Sequence, residues 1–370
     1  MKKRIMGSLF IVLFVFSMVL TGCSVKKEEP AKTGEKEPAA KTYKLTMQIS
    51  AAAGTPYMTC AQQFAQAVKE SSGGRLIIDV QAGGAIVPAH EVTDAVKGGV
   101  LDIAAPNPSM DQGRLGAKAL LFGASGTPGG PNAIEYLGWF YKGDGMTMAN
   151  DLYKDFNAEV IGVVTAAPAE LFCHSNKPIT SLKDFQGLKF RTMGLWGEVM
   201  KSLGASVITV AGGEIYQAME RGVVDAFEYC GPGVDWDMGF HEVTKYIGVP
   251  GIHSPLSSNL LIVNKNKWDQ LPDDLKELLK HEAMAASLRD YLEFSYADVN
   301  GLQKYKDYGT KIFVLPDDIQ KEIAARAKAI MEKYAQEDAA FKKIYDNQLD
   351  FIKKWKNRED SLQPKYSLFN

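Results

Sequence analysis

GLKFRTMGLWGEVMKSLGASVITVAGGEIYQAMERGVVDAFEY, residues 187–229, alternates short apolar runs with stretches of helical periodicity. Short apolar runs bounded by turn residues are typical of buried strands; here they are 188–190, 207–210 and 223–227. Two segments between them place apolar residues on one helical face, and a glycine follows each; they are 195–203 and 213–221. Strands that alternate with helices predict a mainly parallel sheet covered on both faces, which is an α/β fold.

The earlier part of the chain shows the same alternation of strand and helix patterns. Strands are predicted at 43–49, 76–80 and 101–104, and helices at 58–69 and 91–97. Ligands of such sheets bind at the carboxyl ends of the strands. The loop 105–110 follows the third strand directly and contains Asn107, which is a candidate ligand contact. A proline-rich surface turn is the alternative that the sequence leaves open.

Polar side chains also stand at two strand ends of the quoted segment. Arg191 ends one strand, and Glu228 and Tyr229 end another. A guanidinium can bind a carboxylate through two parallel hydrogen bonds, which a lysine cannot do. Arg191 and Glu228 either act together on one bound group or simply pair with each other.

Several motifs occur in an order that resembles the solute-binding proteins of tripartite ATP-independent periplasmic (TRAP) transporters. They are Gly187-Leu-Lys-Phe-Arg191, GEIYQAMERG at 213–222, VDAFEY at 224–229 and, earlier, SGGR at 72–75 and PAHEVTDAV at 88–96. The resemblance covers residues 43 to about 330. It implies a two-lobed, periplasmic-binding-protein-like α/β fold with a long connecting helix and C-terminal helices. It also implies a non-enzymatic protein that captures an organic acid and delivers it to a TRAP membrane complex.

The resemblance implies a division of the body into two lobes and a tail. Lobe I comprises 43–168 with 257–295, lobe II comprises 169–256 with 296–335, and the C-terminal helical tail is 336–370. The tail contains an amphipathic pattern at 341–355 whose apolar stripe needs a cover. Two alternatives remain open: the tail packs on its own lobes, or it crosses to a second subunit in a homodimer.

The same resemblance assigns roles to individual residues. Arg191 corresponds to the arginine that pairs with the ligand carboxylate. FEYCGP at 227–232 is closest to members that bind 2-oxo or 2-hydroxy acids, in which a cation bridges ligand and protein. Glu228 corresponds to a ligand of that cation, and Glu170 is a second candidate; a bridging Ca²⁺ or Na⁺ is one alternative, and a site without a cofactor is the other. Hard cations prefer several oxygen ligands.

Three further side chains are expected near the ligand. The segment 251–255 lacks the acidic residue that those relatives carry, and His253 there is expected to donate to the substrate instead. Trp196 and Tyr229 are predicted pocket walls, with core packing as the alternative for both.

The N-terminus has the composition of an export signal. Three basic residues precede an apolar stretch at 5–20, which is short for a bilayer span, and LTGC at 20–23 follows. The pattern resembles a bacterial lipobox, which predicts a signal peptide at 1–22 and a lipid on Cys23. Residues 23–42 alternate lysine and glutamate and predict a flexible tether. An extracytoplasmic, lipid-anchored protein follows; an ordinary signal peptide or an uncleaved anchor is the alternative.

Composition narrows the function classes. The 42 Lys and Arg residues against 44 Asp and Glu give a net charge of −2, so nothing favours nucleic-acid binding. Cys60, Cys173 and Cys230 show no CxxC spacing and are predicted to be free thiols, with one disulfide pair as the alternative outside the cell. The histidines lack metal-ligand spacing, and no HExxH or GxSxG motif is present, which disfavours a lipid-anchored hydrolase. A ligand-sensing receptor of the same fold is the nearer alternative. The acid itself cannot be named from the sequence.

Overall fold

The computed structural model describes residues 41–123, 127–210 and 212–364. All of them belong to one compact unit, Lys41–Asn370. The predicted signal peptide, the lipidation site at Cys23 and the tether up to residue 40 lie outside the described residues. Within the described part, no helix combines the length and the apolar character that a membrane span requires.

Two sheets organise the described chain. The strands in chain order are β1 (Tyr43–Ile49), β2 (Leu76–Gln81), β3 (Ile103–Ala105), β4 (Ala158–Ala167), β5 (Cys173–Ser175), β6 (Lys189–Arg191), β7 (Ser206–Ile208), β8 (Ala226–Phe227), β9 (Tyr246–Val249), β10 (Ser257–Asn264) and β11 (Lys311–Val314). The first sheet has the order β2-β1-β3-β10-β4, and the second has the order β11-β9-β5-β8-β6-β7.

Helices cover the sheets. In chain order they are α1 (Pro56–Ser71), α2 (Val92–Lys97), α3 (Gln112–Leu115), α4 (Leu120–Gly123), α5 (Ala133–Lys142), α6 (Gly145–Tyr153), α7 (Gly194–Ser202), α8 (Ile215–Glu220), α9 (Pro232–Asp237), α10 (Phe240–Val243), α11 (Lys265–Asp269), α12 (Asp273–Tyr308), α13 (Asp317–Glu337) and α14 (Ala339–Leu362). Short 3₁₀ turns connect several of them, including one at Pro108–Asp111.

Both sheets are mixed, which corrects the prediction of a mainly parallel sheet. In the first sheet β1 runs parallel to β2 and β3, but β10 is antiparallel to both β3 and β4. In the second sheet β5 is antiparallel to β8 and β9. Each of these antiparallel pairs includes a strand that flanks one of the two places where the chain passes between the sheets. The chain passes from β4 to β5 at the first place and from β9 to β10 at the second. Strands of this kind need no covering crossover helix.

The core consists of separate apolar layers on the faces of the sheets. One face of the first sheet packs against α1 and α12, with Phe64, Val68 and Leu279 fully buried. The other face packs against α4 and α5, where Tyr136, Trp139 and Phe140 are buried. The second sheet has its own layer around Phe172, Phe185 and Phe190.

The chain passes between the two sheets three times. Residues 168–172 lead from β4 to β5, residues 250–256 lead back from β9 to β10, and α12 runs from the first sheet toward β11. We call the first two the crossing segments. With 36 residues, α12 is about 54 Å long at 1.5 Å per residue. A Cβ atom at Gly301 would lie 2.5 Å from the backbone of Pro232, so this glycine permits the close packing of α12 on α9.

The C-terminal helix packs against its own chain. Phe341 and Ile344 of α14 are buried in the same layer as α5. The indole nitrogen of Trp139 donates to Oδ1 of Asn347 at 2.8 Å, and Nε2 of Gln348 donates to the carbonyl of Leu121 at 3.1 Å. Of the two alternatives for the tail, the structure therefore displays the packing on its own chain. The three predicted free thiols are also confirmed, since Cys60, Cys173 and Cys230 are buried and unpaired.

Candidate functional site

A cavity of about 500 Å³ lies at the carboxyl ends of strands from both sheets. Its first side is formed by residues after β1 and β3 and at the start of β10, and its second side by residues after β6 and β8. The structure brings all seven side chains predicted to bind the ligand to this one cavity. They are Asn107, Glu170, Arg191, Trp196, Glu228, Tyr229 and His253. Their roles in binding stay predictions.

Arg191 ends β6 and is 3 % exposed. Its Nε donates to the carbonyl of Val210 at 3.2 Å, and its Nη1 donates to the carbonyl of Glu228 at 2.9 Å. Nη1 also lies 3.3 Å from Oε1 of Glu228. These contacts fix the plane of the guanidinium at the cavity wall. Pairing with Glu228 and facing a bound group, the two alternatives raised by the sequence, are therefore compatible.

Glu170 and His253 lie on the two crossing segments and meet at the cavity. Nε2 of His253 lies 3.2 Å from Oε2 of Glu170 and 3.9 Å from Oε2 of Glu228. The backbone N–H of Glu170 also donates to the carbonyl of Ser254 at 3.1 Å, so the segments are joined by main chain as well. His253 thus faces two carboxylates, in addition to the cavity into which it was expected to donate.

Burial dominates the electrostatics of this group. Burial, with a further contribution from Asp235, raises the pKa of Glu170 to about 8. The pKa of Glu228 is also raised by burial, although the Arg191 guanidinium opposes the shift. Burial lowers the pKa of His253 to about 4, so the imidazole is neutral near pH 7. The site therefore holds two carboxyl groups that are costly to ionise without a cation.

The donor set fits a metal ion. One oxygen each from Glu170 and Glu228 and Nε2 of His253 lie within 4.8 Å of one another, and all three residues are buried. Ser254 hydrogen bonds to Glu170 through its side chain and adds an oxygen nearby. The two residues named from the sequence as cation ligands are thus joined by a third, His253, whose role as a ligand the sequence did not indicate.

Aromatic rings form one wall. Trp196 is 1 % exposed and packs edge-on against Phe172 and Phe190 at centroid distances of 6.0 and 6.5 Å. It lines the cavity and also belongs to the core of the second sheet, so both of its interpretations hold. Its ring lies 5.3 Å from that of His253. Tyr229 is half-buried and its ring lies 6.0 Å from the Arg191 guanidinium carbon.

Asn107 shapes the loop after β3. Its Oδ1 accepts a hydrogen bond from the backbone N–H of Ser109 at 3.0 Å and thereby caps the 3₁₀ turn that begins at Pro108. The side chain lies at the cavity and orders the loop as well. A turn that contains proline and a side chain at the cavity, the two interpretations of this loop, are therefore compatible.

Several polar wall residues were not predicted. They are Ser50, Tyr57, Gln112, Thr192, Ser257 and Asn259. Asn259 is buried in β10 and donates through Nδ2 to the carbonyl of Ala105 at 3.3 Å. The polar start SSN of an otherwise apolar strand was a sequence signal for this wall. The contact between Tyr57 and Cys230, whose Oη and Sγ atoms are 3.4 Å apart, had no such signal.

A buried hydrogen bond supports the segment that follows Glu228. Nε2 of His174 lies 2.9 Å from Oδ2 of Asp235, and the same oxygen accepts from the backbone N–H of Cys230 at 3.4 Å. Burial lowers the pKa of His174 to about 3 and raises that of Asp235 well above its usual range. Burial therefore disfavours both charged forms, and the pair acts as a neutral support for residues 228–231.

Comparison with known proteins shows to which family the chain is similar. Residues 47–338 match the family described as bacterial extracellular solute-binding protein, family 7 (DctP). The monocarboxylate 2-oxoacid-binding periplasmic protein of Nostoc sp. is 32 % identical over 294 residues, which is 79 % of each chain.

Solved structures show the same fold. A TRAP periplasmic solute-binding protein from Colwellia psychrerythraea, with bound calcium and pyruvate, has a TM-score of 0.80 and 27 % identity, covering 87 % of this chain and 98 % of that one. Another from Pseudoalteromonas atlantica, with bound sodium and pyruvate, has a TM-score of 0.79 and 25 % identity, covering 87 % and 97 %. The predicted fold is confirmed, and both predicted ions accompany a carboxylate in these similar proteins.

Proposed function

Since the chain belongs to family 7 of the bacterial extracellular solute-binding proteins (DctP), whose members are receptors and not enzymes, we propose that it captures a 2-oxo or 2-hydroxy monocarboxylic acid for a TRAP transporter. The observation that carries this proposal is the buried Arg191 guanidinium, fixed by three hydrogen bonds at the wall of a cavity that both sheets form. Glu228 pairs with one nitrogen of this guanidinium, and a ligand carboxylate in the cavity can accept hydrogen bonds from its other N–H groups.

Binding in this proposal begins with the acid carboxylate at Arg191. The oxygen on the second carbon then lies toward Glu170, Glu228 and His253, the end of the cavity where a cation would be held. Such a cation would screen the two carboxylates from the incoming anion. The 2-oxoacid named for the Nostoc relative and the pyruvate in the two solved structures support this class of acid.

We propose the lobes to be 43–168 with 257–295 and 169–256 with 296–335, which close over the acid. Every strand of the first sheet falls within the first set and every strand of the second sheet within the other. Closure excludes water and strengthens the Arg191 contacts, because charges interact more strongly in a medium of low dielectric constant. Rotation about the crossing segments would bring the two walls together.

We also propose that Cys23 carries a lipid and that residues 24–42 tether the binding unit near its membrane partner. The basic start, apolar stretch and LTGC sequence support this. Anchoring raises the local concentration of the loaded protein at the transporter. Radiolabelled glycerol or palmitate should label the wild-type protein in its bacterial host and not Cys23→Ser.

The packing of α14 on its own chain favours a monomer. The homodimer through this helix is the alternative, and Leu349 and Leu362 are its exposed large apolar side chains among the described residues. Light scattering on the purified protein should give the mass of one chain. A mass of two chains that falls to one after Leu349→Glu would establish the dimer instead.

The binding proposal is tested by isothermal titration calorimetry with pyruvate, lactate and longer 2-oxo acids. We expect Arg191→Lys to lose at least the roughly 1.5–3 kcal/mol that a hydrogen bond to a charged group contributes. Arg221→Lys, an equivalent change at an exposed arginine, should bind as the wild type does. Unchanged affinity in Arg191→Lys would refute the assignment of this pocket.

Delivery is tested separately from capture. Membrane vesicles that contain a TRAP transporter encoded by the same organism should accumulate the labelled acid only when the binding protein is added. Capture without any stimulation of uptake would favour the ligand-sensing receptor. Enzymatic turnover of the acid would contradict the proposal altogether.

A further inference from the structure

Three side chains converge at one end of the cavity, and one of them supplies nitrogen. Nε2 of His253 is 3.2 Å from Oε2 of Glu170 and 3.9 Å from Oε2 of Glu228. The three donor atoms lie within 4.8 Å of one another. Donors that share a tetrahedral zinc ion at about 2.0–2.2 Å lie about 3.3–3.6 Å apart. Side-chain movement of no more than about 1.5 Å therefore brings all three donor atoms to one ion.

We propose that Glu170, Glu228 and His253 bind a divalent transition metal of the Zn²⁺ or Co²⁺ type in preference to Ca²⁺ or Na⁺. This inference rests on the proposed function in one respect, because the captured acid would complete the coordination of the metal. Glu228 and Glu170 supply anionic oxygens that any of these ions accepts. His253 is the residue that decides among them.

The preference follows from donor chemistry. Ca²⁺ takes about 6–8 oxygen ligands, whereas imidazole nitrogen suits Zn²⁺, Cu²⁺, Ni²⁺ and iron. Nε2 of His253, the nitrogen that faces both carboxylates, binds a metal through its lone pair when the ring proton is on Nδ1. Trp196 and Phe172 pack against the His253 ring at centroid distances of 5.3 and 6.3 Å and restrict its rotation.

Charge balance independently favours a divalent ion. Among the described residues that line the cavity, Glu170 and Glu228 are the acidic ones and Arg191 the basic one. With both carboxylates ionised they leave one net negative charge, which would repel an acid anion. A divalent ion turns this into one net positive charge, and a monocarboxylate then makes the closed site neutral. A monovalent ion would leave a loaded and buried site with one negative charge.

The number of protein ligands leaves space for the acid. Three protein ligands with open positions are the arrangement of zinc sites that accept an exogenous ligand. A 2-oxo acid presents a carboxylate oxygen and an oxo oxygen that can chelate one metal. The cavity of about 500 Å³ beside the cluster accommodates such a molecule.

The test measures metal binding without any acid. The full chain is freed of metal with a chelator, and ZnCl₂, CoCl₂, CaCl₂ and NaCl are titrated separately by calorimetry. We expect one Zn²⁺ or Co²⁺ per chain, bound more tightly than Ca²⁺ by at least the roughly 10- to 100-fold that even outer partners of a metal ligand contribute. Ca²⁺ binding equal to or tighter than Zn²⁺ binding would overturn the inference.

Two variants assign the preference to a residue. His253→Gln replaces the nitrogen by an amide and should lower Zn²⁺ affinity by the same factor while leaving Ca²⁺ binding nearly unchanged. His90→Gln, which removes an exposed histidine, should bind Zn²⁺ as the wild type does. Unchanged Zn²⁺ affinity in His253→Gln would show that His253 only hydrogen bonds to Glu170, and the inference would fail.

A measurement on the wild type keeps the test decisive if His253→Gln does not fold. The electron paramagnetic resonance spectrum of bound Cu²⁺ should show hyperfine splitting from a single imidazole nitrogen, and its absence would overturn the inference. Pyruvate binding by the metal-free protein and by the Ca²⁺ form separates the two proposals. If pyruvate binds but no Zn²⁺ preference exists, only this inference fails. If Zn²⁺ binds through His253 but no such acid binds, only the proposed function fails.

Discussion

At the residue level, the buried ion pair of Arg191 and Glu228 couples binding to stability. Their side chains are 4 % and 10 % exposed and their charged atoms are 3.3 Å apart. Removal of one partner of a buried pair costs about 3–5 kcal/mol, because the other charge stays buried and uncompensated. Arg191→Ala should therefore lower the free energy of unfolding by about this amount, as measured by urea denaturation.

A second change should reverse most of that loss. Glu228→Gln added to Arg191→Ala removes the uncompensated carboxylate, so the double variant should be more stable than Arg191→Ala alone. Additive losses in the two variants would contradict this account. The result also decides which variant suits a binding experiment, because Arg191→Lys keeps the positive charge that the fold needs.

Asp290 gives a prediction about pH. It lies in α12, where its Oδ2 accepts a hydrogen bond from Thr165 at 3.4 Å, and burial raises its pKa to about 7. The folded protein keeps this proton up to about pH 7, whereas the unfolded chain releases it near the ordinary carboxyl pKa of 3.8. Between these values the folded state binds more protons, so this residue makes stability fall as pH rises.

Asp290→Asn should remove this dependence. Relative to the wild type, the variant should gain at least about 1.4 kcal/mol, the equivalent of one pKa unit, when the pH is raised from 4 to 8. Urea unfolding at several pH values measures the difference. Asp298→Asn is a useful comparison, because burial also raises the pKa of the wild-type Asp298 carboxyl to about 7. An unchanged pH profile in Asp290→Asn would refute the assignment.

The sequence indicated individual residues of the site better than the contacts between them. Arg191 and Glu228 stand at strand ends, and strand ends are visible in apolar runs. Glu170 and His253 are 83 positions apart, on crossing segments that have no periodicity. Their contact depends on the paths of two loops, which local sequence does not encode.

At the level of elements, the crossing segments are packed too closely to tolerate a side chain at Gly251. A Cβ atom there would lie 1.8 Å from the carbonyl oxygen of Glu170. Gly251→Ala should therefore displace one segment, weaken acid binding, and cost about 1–3 kcal/mol of stability, as overpacking does. Calorimetry and thermal unfolding measure the two effects.

Gly98→Ala is the matched control for that change. Gly98 has an ordinary negative φ of −78°. A Cβ atom added there would lie 3.5 Å from its nearest neighbour, the carbonyl oxygen of Asp94. This variant should bind the acid and unfold as the wild type does. If Gly251→Ala were equally silent, the two crossing segments would be less tightly coupled than the distances imply.

Helix and strand lengths show where sequence patterns fail. The apolar periodicity that begins near Pro272 fades near residue 292 in the sequence, but α12 continues to Tyr308 and ends at Gly309, which has φ of 91°. The helix packs against β4 along one part and against α9 along another, so its apolar residues change face. Leu292, Tyr296 and Val299 are exposed, which blurs the periodic signal. Conversely, β8 is shorter than its apolar run, because pairing stops after Phe227.

At the level of the whole molecule, a cavity walled by two sheets predicts a change of shape on binding. Small-angle X-ray scattering should show a smaller radius of gyration when pyruvate and metal are both present. Arg191→Lys should keep the larger radius under the same conditions. Equal radii for loaded and free wild-type protein would mean that capture occurs without closure of the lobes.

The overall α/β architecture followed from the alternation of elements, but strand direction did not. β10 pairs antiparallel with β3 and β4, and this depends on the return of the chain from the other sheet after residues 168–256, which is a long-range property. The position of the cavity could be predicted from the rule that ligands meet strand ends. Its polar wall from β10 was not predicted, although the SSN start of that strand was a signal for it, because Asn259 leads into an otherwise apolar strand.

The two crossing segments that carry Glu170 and His253 also have a consequence for how such proteins diversify. In the proposed function and the metal inference, these two residues also contact the bound ion and, with it, the acid. A substitution that alters how the two proposed lobes open would then also alter which acid is bound. The opening motion and the choice of ligand would therefore be inherited together in this fold.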